Sequence, residues 1–165
     1  MVREFAQNEV KPIAAEIDRN HRFPEESVKR MAELGILGLV IPEELGGSGG
    51  DSVSMALAIE ELSQVSATHS TILAAHLSLG LGTIMHAANA AQKQKYVPEL
   101  ATGKKLCAFA LTEPGAGSDA AAQKTEAVLK GDKYILNGSK VFITNGAYAD
   151  TFVVIAMTDK SKGLK

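Results

Sequence analysis

The stretch AFALTEPGAGSDAAAQ, residues 108–123, carries a strand-like apolar run into a Pro-Gly turn and then into a Ser-Asp pair. Upstream of it apolar residues recur at helical spacing, and downstream they fall in short β-type runs. This stretch therefore marks a boundary near residue 104. The chain reads as α+β with segregated segments, an N-terminal all-α domain over residues 1–103 followed by the beginning of an antiparallel β-domain over 104–165. Past the strand, backbone N–H groups have no ladder partner, Gly115 and Gly117 let a ligand approach closely, and the hydroxyls of Thr112 and Ser118 can donate to phosphate or to heteroaromatic acceptors. Glu113 and Asp119 have no His or Cys nearby, which favours a bulky polar cofactor over a metal. On spacing alone a capped surface turn accounts for the same residues, since Pro, Gly, Ser and Asp are what turns use.

Working upstream, Val2, Phe5, Ala6, Val10, Ile13 and Ile17 line one side of a first amphipathic helix. Pro24 opens a second, with Val28, Met31 and Leu34 as its stripe and Gly35 as its stop. ILGLVIPEELGGSGGD, residues 36–51, is a short apolar run followed by a glycine-rich loop, and its LGGSGGD part, residues 45–51, lacks the strand–loop–Lys order of a phosphate cradle and reads as a flexible connector. Asp51 is placed to cap a third helix through Met55, Ala58, Ile59, Leu62 and Val65. Thr68 is placed to cap a fourth running to about Ala88, and AQKQKYVPELATG, residues 91–103, forms a fifth that Gly103 ends.

Downstream, KTEAVLKGDKYILNGSKVFITNG (124–146) and TFVVIAM (151–157) are short strands around Gly131-Asp132 and Asn137-Gly138. Asn137-Gly138 is the favoured hairpin turn, because both residues tolerate positive φ. The strand set reads as unfinished and the helices carry wide apolar faces, so further structure is expected to cover them.

Composition narrows the function classes. Of the 165 residues 45% are hydrophobic and 22% charged, with a formal net charge of −2, the profile of a globular protein with no electrostatic footprint for nucleic acid. The uncharged stretch from Leu62 to Gln92 is rich in Ser, Thr, His, Gly and Ala and reads as buried helix, not a membrane span. The N-terminus has no signal-peptide pattern, and the single cysteine, Cys107, fits a reducing compartment, so a cytoplasmic protein is expected. His21, His69, His76 and His86 lack metal-ligand spacing; no metal site is expected, and His69 and His76 read as core or interface positions. Cys107 reads as a small apolar core residue.

ALTEPGAGSDAAA, residues 110–122, resembles a signature of the acyl-CoA dehydrogenase family: a small residue, an aliphatic and Ser/Thr before Glu, then a small residue, Gly, Ser/Thr and Asp. NGSKVFITNG, residues 137–146, resembles that family's second flavin-contacting strand. GILGLVIPEELGGSGGD, HLSLG and AAQKQKYVPELATGKK agree, so the resemblance covers essentially the whole chain. The TFVVIAMTDKSKG stretch is most similar to short-chain, butyryl-type bacterial members.

The resemblance implies FAD as cofactor, held between the β-domain and a C-terminal helical domain that is absent from these residues. It implies a first flavin segment of Phe109, Ala110, Leu111, Thr112, Glu113, Gly117 and Ser118, with Thr112 at the pyrimidine edge and Ser118 also touching the acyl-CoA substrate. A second segment consists of Phe142, Ile143 and Thr144; many members carry Trp where this chain has Phe142. The HLSLGLG helix matches the region lining the acyl pocket. Donors at the pyrimidine edge stabilise charge that develops there on reduction.

The implied activity is oxidation of acyl-CoA to trans-2-enoyl-CoA, with electrons passed to an electron-transferring flavoprotein and a tetramer as the assembly. The implied base, a Glu of the C-terminal domain, has no counterpart here, and Glu113 matches a turn position. No catalytic residue is therefore assigned, and these residues alone are expected to be catalytically silent. An acyl-CoA oxidase or flavin monooxygenase on the same fold, or a non-catalytic remnant acting as an interaction module, stand as alternatives.

Overall fold

The computed structural model of the chain describes residues 1–159 and 161. Residue 160 and residues 162–165, the end of the expected β segment, lie outside the described residues. The helical half comprises α1 (Val2–Phe5), α2 (Lys11–Asn20), α3 (Glu25–Glu33), α4 (Ser52–Ser63), α5 (Ala67–Ala74), α6 (Gly82–Ala87) and α7 (Ala90–Ala101). Two wider, π-type stretches run without a break between helices: Ala6–Val10 joins α1 to α2, and Ala75–Leu81 joins α5 to α6. The first lies just ahead of Pro12, which has no N–H to give to the helical ladder, so the hydrogen-bond pattern shifts there without ending the helix.

Apolar side chains at helical spacing converge on one core. Phe5, Val10, Met31, Leu62, Leu73 and Leu100 are among its buried members, and Cys107 at the head of the first strand belongs to it. The caps explain several boundaries. Asp51 Oδ1 accepts from Ser54 N–H at 2.8 Å, as expected. Asn89 and Gln92 form a reciprocal capping box at the start of α7, with N–H bonds of 2.9 and 3.0 Å. Asn89→Ala is expected to cost about 1 kcal/mol, read as a lowered denaturation midpoint with unchanged dependence on denaturant.

Three local expectations are corrected. The fourth helix begins at Ala67 with Ser66 at the N-cap, two residues before the expected Thr68, whose hydroxyl donates to Asp18 Oδ1 at 3.2 Å. The glycine-rich connector is not loose. Gly47, Gly49 and Gly50 donate to Pro42, Ile41 and Leu39 carbonyls at 2.8–3.1 Å, and a side chain at Gly47 would collide with Ile41. The hairpin turn is Gly131-Asp132, not Asn137-Gly138. Asn137 stays in the ladder opposite Glu126, while Gly131 takes the positive φ of 65°.

The strand half holds β1 (Cys107–Ala110), β2 (Glu126–Lys130), β3 (Lys133–Asn137) and β4 (Thr151–Val154). β2 and β3 form the antiparallel hairpin, but β1 pairs with β4 in parallel, Cys107 opposite Thr151 and Ala110 opposite Val154. The β-domain therefore begins mixed, because the chain leaves the sheet after β1 and returns through residues 138–150 running the same way. Val128, Leu129, Tyr134, Ile135 and Leu136 of the hairpin are exposed, as are Val53 and Leu57 on α4. No helix among the described residues is long and apolar enough to cross a membrane.

Candidate functional site

β1 delivers the chain from the core to the surface. Phe109 is half-buried, Ala110 is buried, and Leu111 and Thr112 emerge as partly exposed residues. Glu113 and Ala116 then close a tight turn around Pro114-Gly115, each donating its N–H to the other's carbonyl, at 3.0 and 3.1 Å. Gly117 and Ser118 are exposed beyond it. Neither Gly115 nor Gly117 has positive φ, and a Cβ at either would meet nothing within 4 Å. The fold of this chain does not itself demand glycine at either position, and the backbone there is open to close approach.

Glu113 is not a free carboxylate. Its Oε2 accepts from Lys124 N–H at 2.6 Å, and its Oε1 from Thr125 N–H at 2.9 Å and from the Lys140 ammonium at 2.8 Å. The side chain is buried. The Lys140 ammonium, followed by Thr125 and Lys124, holds the carboxyl far below its ordinary value of 4.5, at about 2. The Glu113 side chain faces into the loop and organises it. So strongly stabilised an anion is a poor proton acceptor.

Phe142, Ile143 and Thr144 do not form a strand. Residues 138–150 run as a succession of turns. Val141 N–H donates to Thr112 C=O at 2.9 Å, joining this segment to the first. Phe142 follows with φ +57°, a left-handed conformation rare for an aromatic residue, and with its side chain 93% exposed. Such strain persists only where the surroundings over-determine it. Here Gly146 N–H bonds Ile143 C=O at 2.9 Å, and Tyr148 and Ala149 N–H bond Asn145 C=O at 2.9 and 2.8 Å.

Two residues that the sequence reading did not single out hold the arrangement. Asn145, buried and at φ +67°, donates its amide to Ile72 C=O and Cys107 C=O, both at 3.2 Å, tying the turns to α5 and to β1. Lys140, with its side chain 10% exposed, donates to Leu111 C=O at 2.7 Å, to Glu113 Oε1 at 2.8 Å and to Gln123 Oε1 at 3.2 Å. The legible signals were a lysine inside an otherwise strand-like run and an Asn-Gly pair at 145–146. Phe23 and Tyr148 stack at 4.0 Å with planes 11° apart, a further tie between the halves.

Of the four histidines, His69 and His76 are fully buried. His76 bridges the halves: its Nδ1 accepts from Cys107 N–H at 3.1 Å, so its Nε2 carries the proton and donates to Leu100 C=O at 3.2 Å. Burial drives its pKa from 6.5 to about 4. Cys107 has no exposure, and burial pushes its thiol up to about 11, so it is inert packing. No group of three or more His, Cys, Asp or Glu disposed to hold a metal is found among the described residues.

An all-helical domain thus feeds a β segment in which two loop stretches meet at Thr112 and Val141, beside glycines with open space around them and an outward-facing aromatic ring. The description "Acyl-CoA dehydrogenase, N-terminal domain" matches residues 1–104, and "Acyl-CoA dehydrogenase, middle domain" matches residues 108–165. The chain belongs to the acyl-CoA dehydrogenase family. It is 57% identical, over its whole length and 44% of the relative's, to the short-chain specific acyl-CoA dehydrogenase of Clostridium acetobutylicum. A chain from a structure of the electron transferring flavoprotein of Acidaminococcus fermentans superposes with a TM-score of 0.94 at 51% identity, over 98% of this chain and 43% of that one. An acyl-CoA dehydrogenase from Bacillus anthracis, solved complexed with FAD, superposes with a TM-score of 0.87 at 45% identity, over 94% of this chain and 27% of that one. FAD is the cofactor of this family. The chain spans less than half the length of the curated relatives it matches.

Proposed function

We propose that the protein to which this chain belongs is a short-chain acyl-CoA dehydrogenase, which oxidises a saturated acyl-CoA to the trans-2-enoyl-CoA and passes the two electrons to an electron-transferring flavoprotein. The observation that carries this reading is the pairing of the two segments at Val141 and Thr112, beside an outward-facing Phe142 in strained backbone. The residues fit FAD: Phe142 offers an aromatic face, Thr112 and Thr144 offer hydroxyls, and the backbone at Gly117 and Ser118 is open to a phosphate group. When bound, FAD supplies the acceptor for a hydride and its electron pair.

In this reading Phe109, Ala110, Leu111 and Thr112 line one edge of the cofactor. Gly117 and Ser118 reach its pyrophosphate region, with Ser118 shared with acyl-CoA. Phe142, Ile143 and Thr144 line the ring. The α-proton of the thioester goes to a carboxylate that these 165 residues do not supply, since Glu113 is committed to its loop. A cytoplasmic homotetramer is the assembly we propose.

The test is anaerobic addition of a short-chain acyl-CoA to the purified protein. Bleaching of the visible flavin band, followed by reoxidation by electron-transferring flavoprotein faster than by air, is the expected result. Absence of bound flavin, or no bleaching with any acyl-CoA, overturns the proposal. Rapid reoxidation by air alone instead identifies an oxidase or monooxygenase on the same scaffold.

A further inference from the structure

Lys140 stands out because its charge is used entirely inside the candidate site. Its three ammonium protons meet three acceptors, Leu111 C=O, Glu113 Oε1 and Gln123 Oε1, at 2.7, 2.8 and 3.2 Å. The next residue's backbone, Val141 N–H, takes the next carbonyl along, Thr112 C=O, at 2.9 Å. Consecutive donors at 140 and 141 thus bind consecutive acceptors at 111 and 112, and the lysine side chain acts as an extra rung between two segments that share no ladder. The nearest interaction fixes the peptide joining Leu111 to Thr112. A cation on that carbonyl also polarises the peptide, making the Thr112 N–H a stronger donor.

We propose that Lys140 is a positioning residue for the pyrimidine edge of the flavin, which it serves by fixing and polarising the Leu111–Thr112 peptide, with Glu113 as its counter-charge and Gln123 as a neutral third acceptor. The inference rests on the reading of Thr112 given under the proposed function. A positive pole at this edge favours the charge that reduction places on the cofactor. Glu113 offsets part of that pole while keeping a buried ammonium in place. A purely structural ion pair would hold the loop equally well but would not bias reduction in one direction.

Two near-isosteric exchanges of opposite charge separate these roles. In the FAD-loaded protein carrying this chain, Glu113→Gln removes a negative charge from around the ammonium, and Gln123→Glu adds one. The expected result is a higher flavin midpoint potential in Glu113→Gln and a lower one in Gln123→Glu, with the visible absorption envelope of bound flavin kept in both. Lys140→Met is expected to lower the potential as well. Should Lys140→Met fail to fold, the two isosteric variants carry the test on their own. Potentials that stay unchanged, or that move in the same direction in both isosteric variants with FAD still bound, overturn the inference and leave the proposed function standing. A parent protein that takes up no FAD overturns both, and that outcome is visible before any variant is made.

Discussion

Gly80→Ala is expected to destabilise the protein by about 2 kcal/mol, although alanine is the better helix former. Gly80 is buried within the π-type stretch Ala75–Leu81. A Cβ built on it lies 2.5 Å from Cys107 Sγ and 2.8 Å from Cys107 Cβ. Two effects compete. Relieving the entropic cost of glycine in a helix is worth about 0.5–1 kcal/mol, whereas overpacking a close-packed interior costs about 1–3 kcal/mol. Cys107 cannot yield, because its N–H is bound to His76 and its backbone is paired opposite Thr151. The clash therefore wins. Cys107→Gly removes both colliding atoms, so the double variant is expected to recover part of the loss, a positive coupling in a double-mutant cycle. Unfolding curves for the four proteins check this; a Gly80→Ala variant as stable as the parent would show that helix and strand do not approach so closely.

His76→Leu is expected to be less stable than the parent at pH 8 by about 2 kcal/mol and to lose that disadvantage in acid. Leu100 C=O keeps a second donor, Gly103 N–H at 3.0 Å, so removing the imidazole chiefly strands the buried Cys107 N–H. The pH dependence follows from linkage. The imidazole titrates near 6.5 in the unfolded chain and near 4 when folded, because burial disfavours its charged form. Below pH 6.5 the unfolded state binds a proton that the folded state refuses. The stability present above 6.5 is therefore lost progressively down to about 4, roughly 3 kcal/mol at 1.36 kcal/mol per pH unit. The variant lacks this slope, so its profile and the parent's are expected to meet near about pH 5. His69, also buried and shifted downward, contributes to both profiles alike. Denaturant titrations at a series of pH values read the crossing directly, and parallel profiles would refute the buried neutral state.

The helices were legible because their information is local. Spacing alone located the apolar stripes, and Asp51, Gly35 and Gly103 punctuate the chain through side-chain or φ requirements that each residue carries with it. The site was legible only as two separate strings. What escaped was whatever depends on tertiary partners. Asn137-Gly138 has the turn chemistry of a hairpin, but the register of β2 against β3 recruits Gly131-Asp132 instead. The run at 140–144 looks extended until Val141 docks on Thr112 and Asn145 is drawn to Ile72 and Cys107. Glu113 could be placed in a turn from sequence; only the fold brings Lys140 and two backbone N–H groups around it. The parallel partner of β1 has no local signature at all.

That parallel pairing sets an order of events in folding. Thr151 settles opposite Cys107 only when residues 111–150 close into a long loop, whose entropy must be met before the β1–β4 contacts form. The hairpin and the helices can appear early, on short-range interactions. The contact of Val141 with Thr112 cannot, because it too joins segments far apart in the chain. A lesion that slows the long-range closure of β4 on β1 would leave the helices formed and β1 without its partner strand.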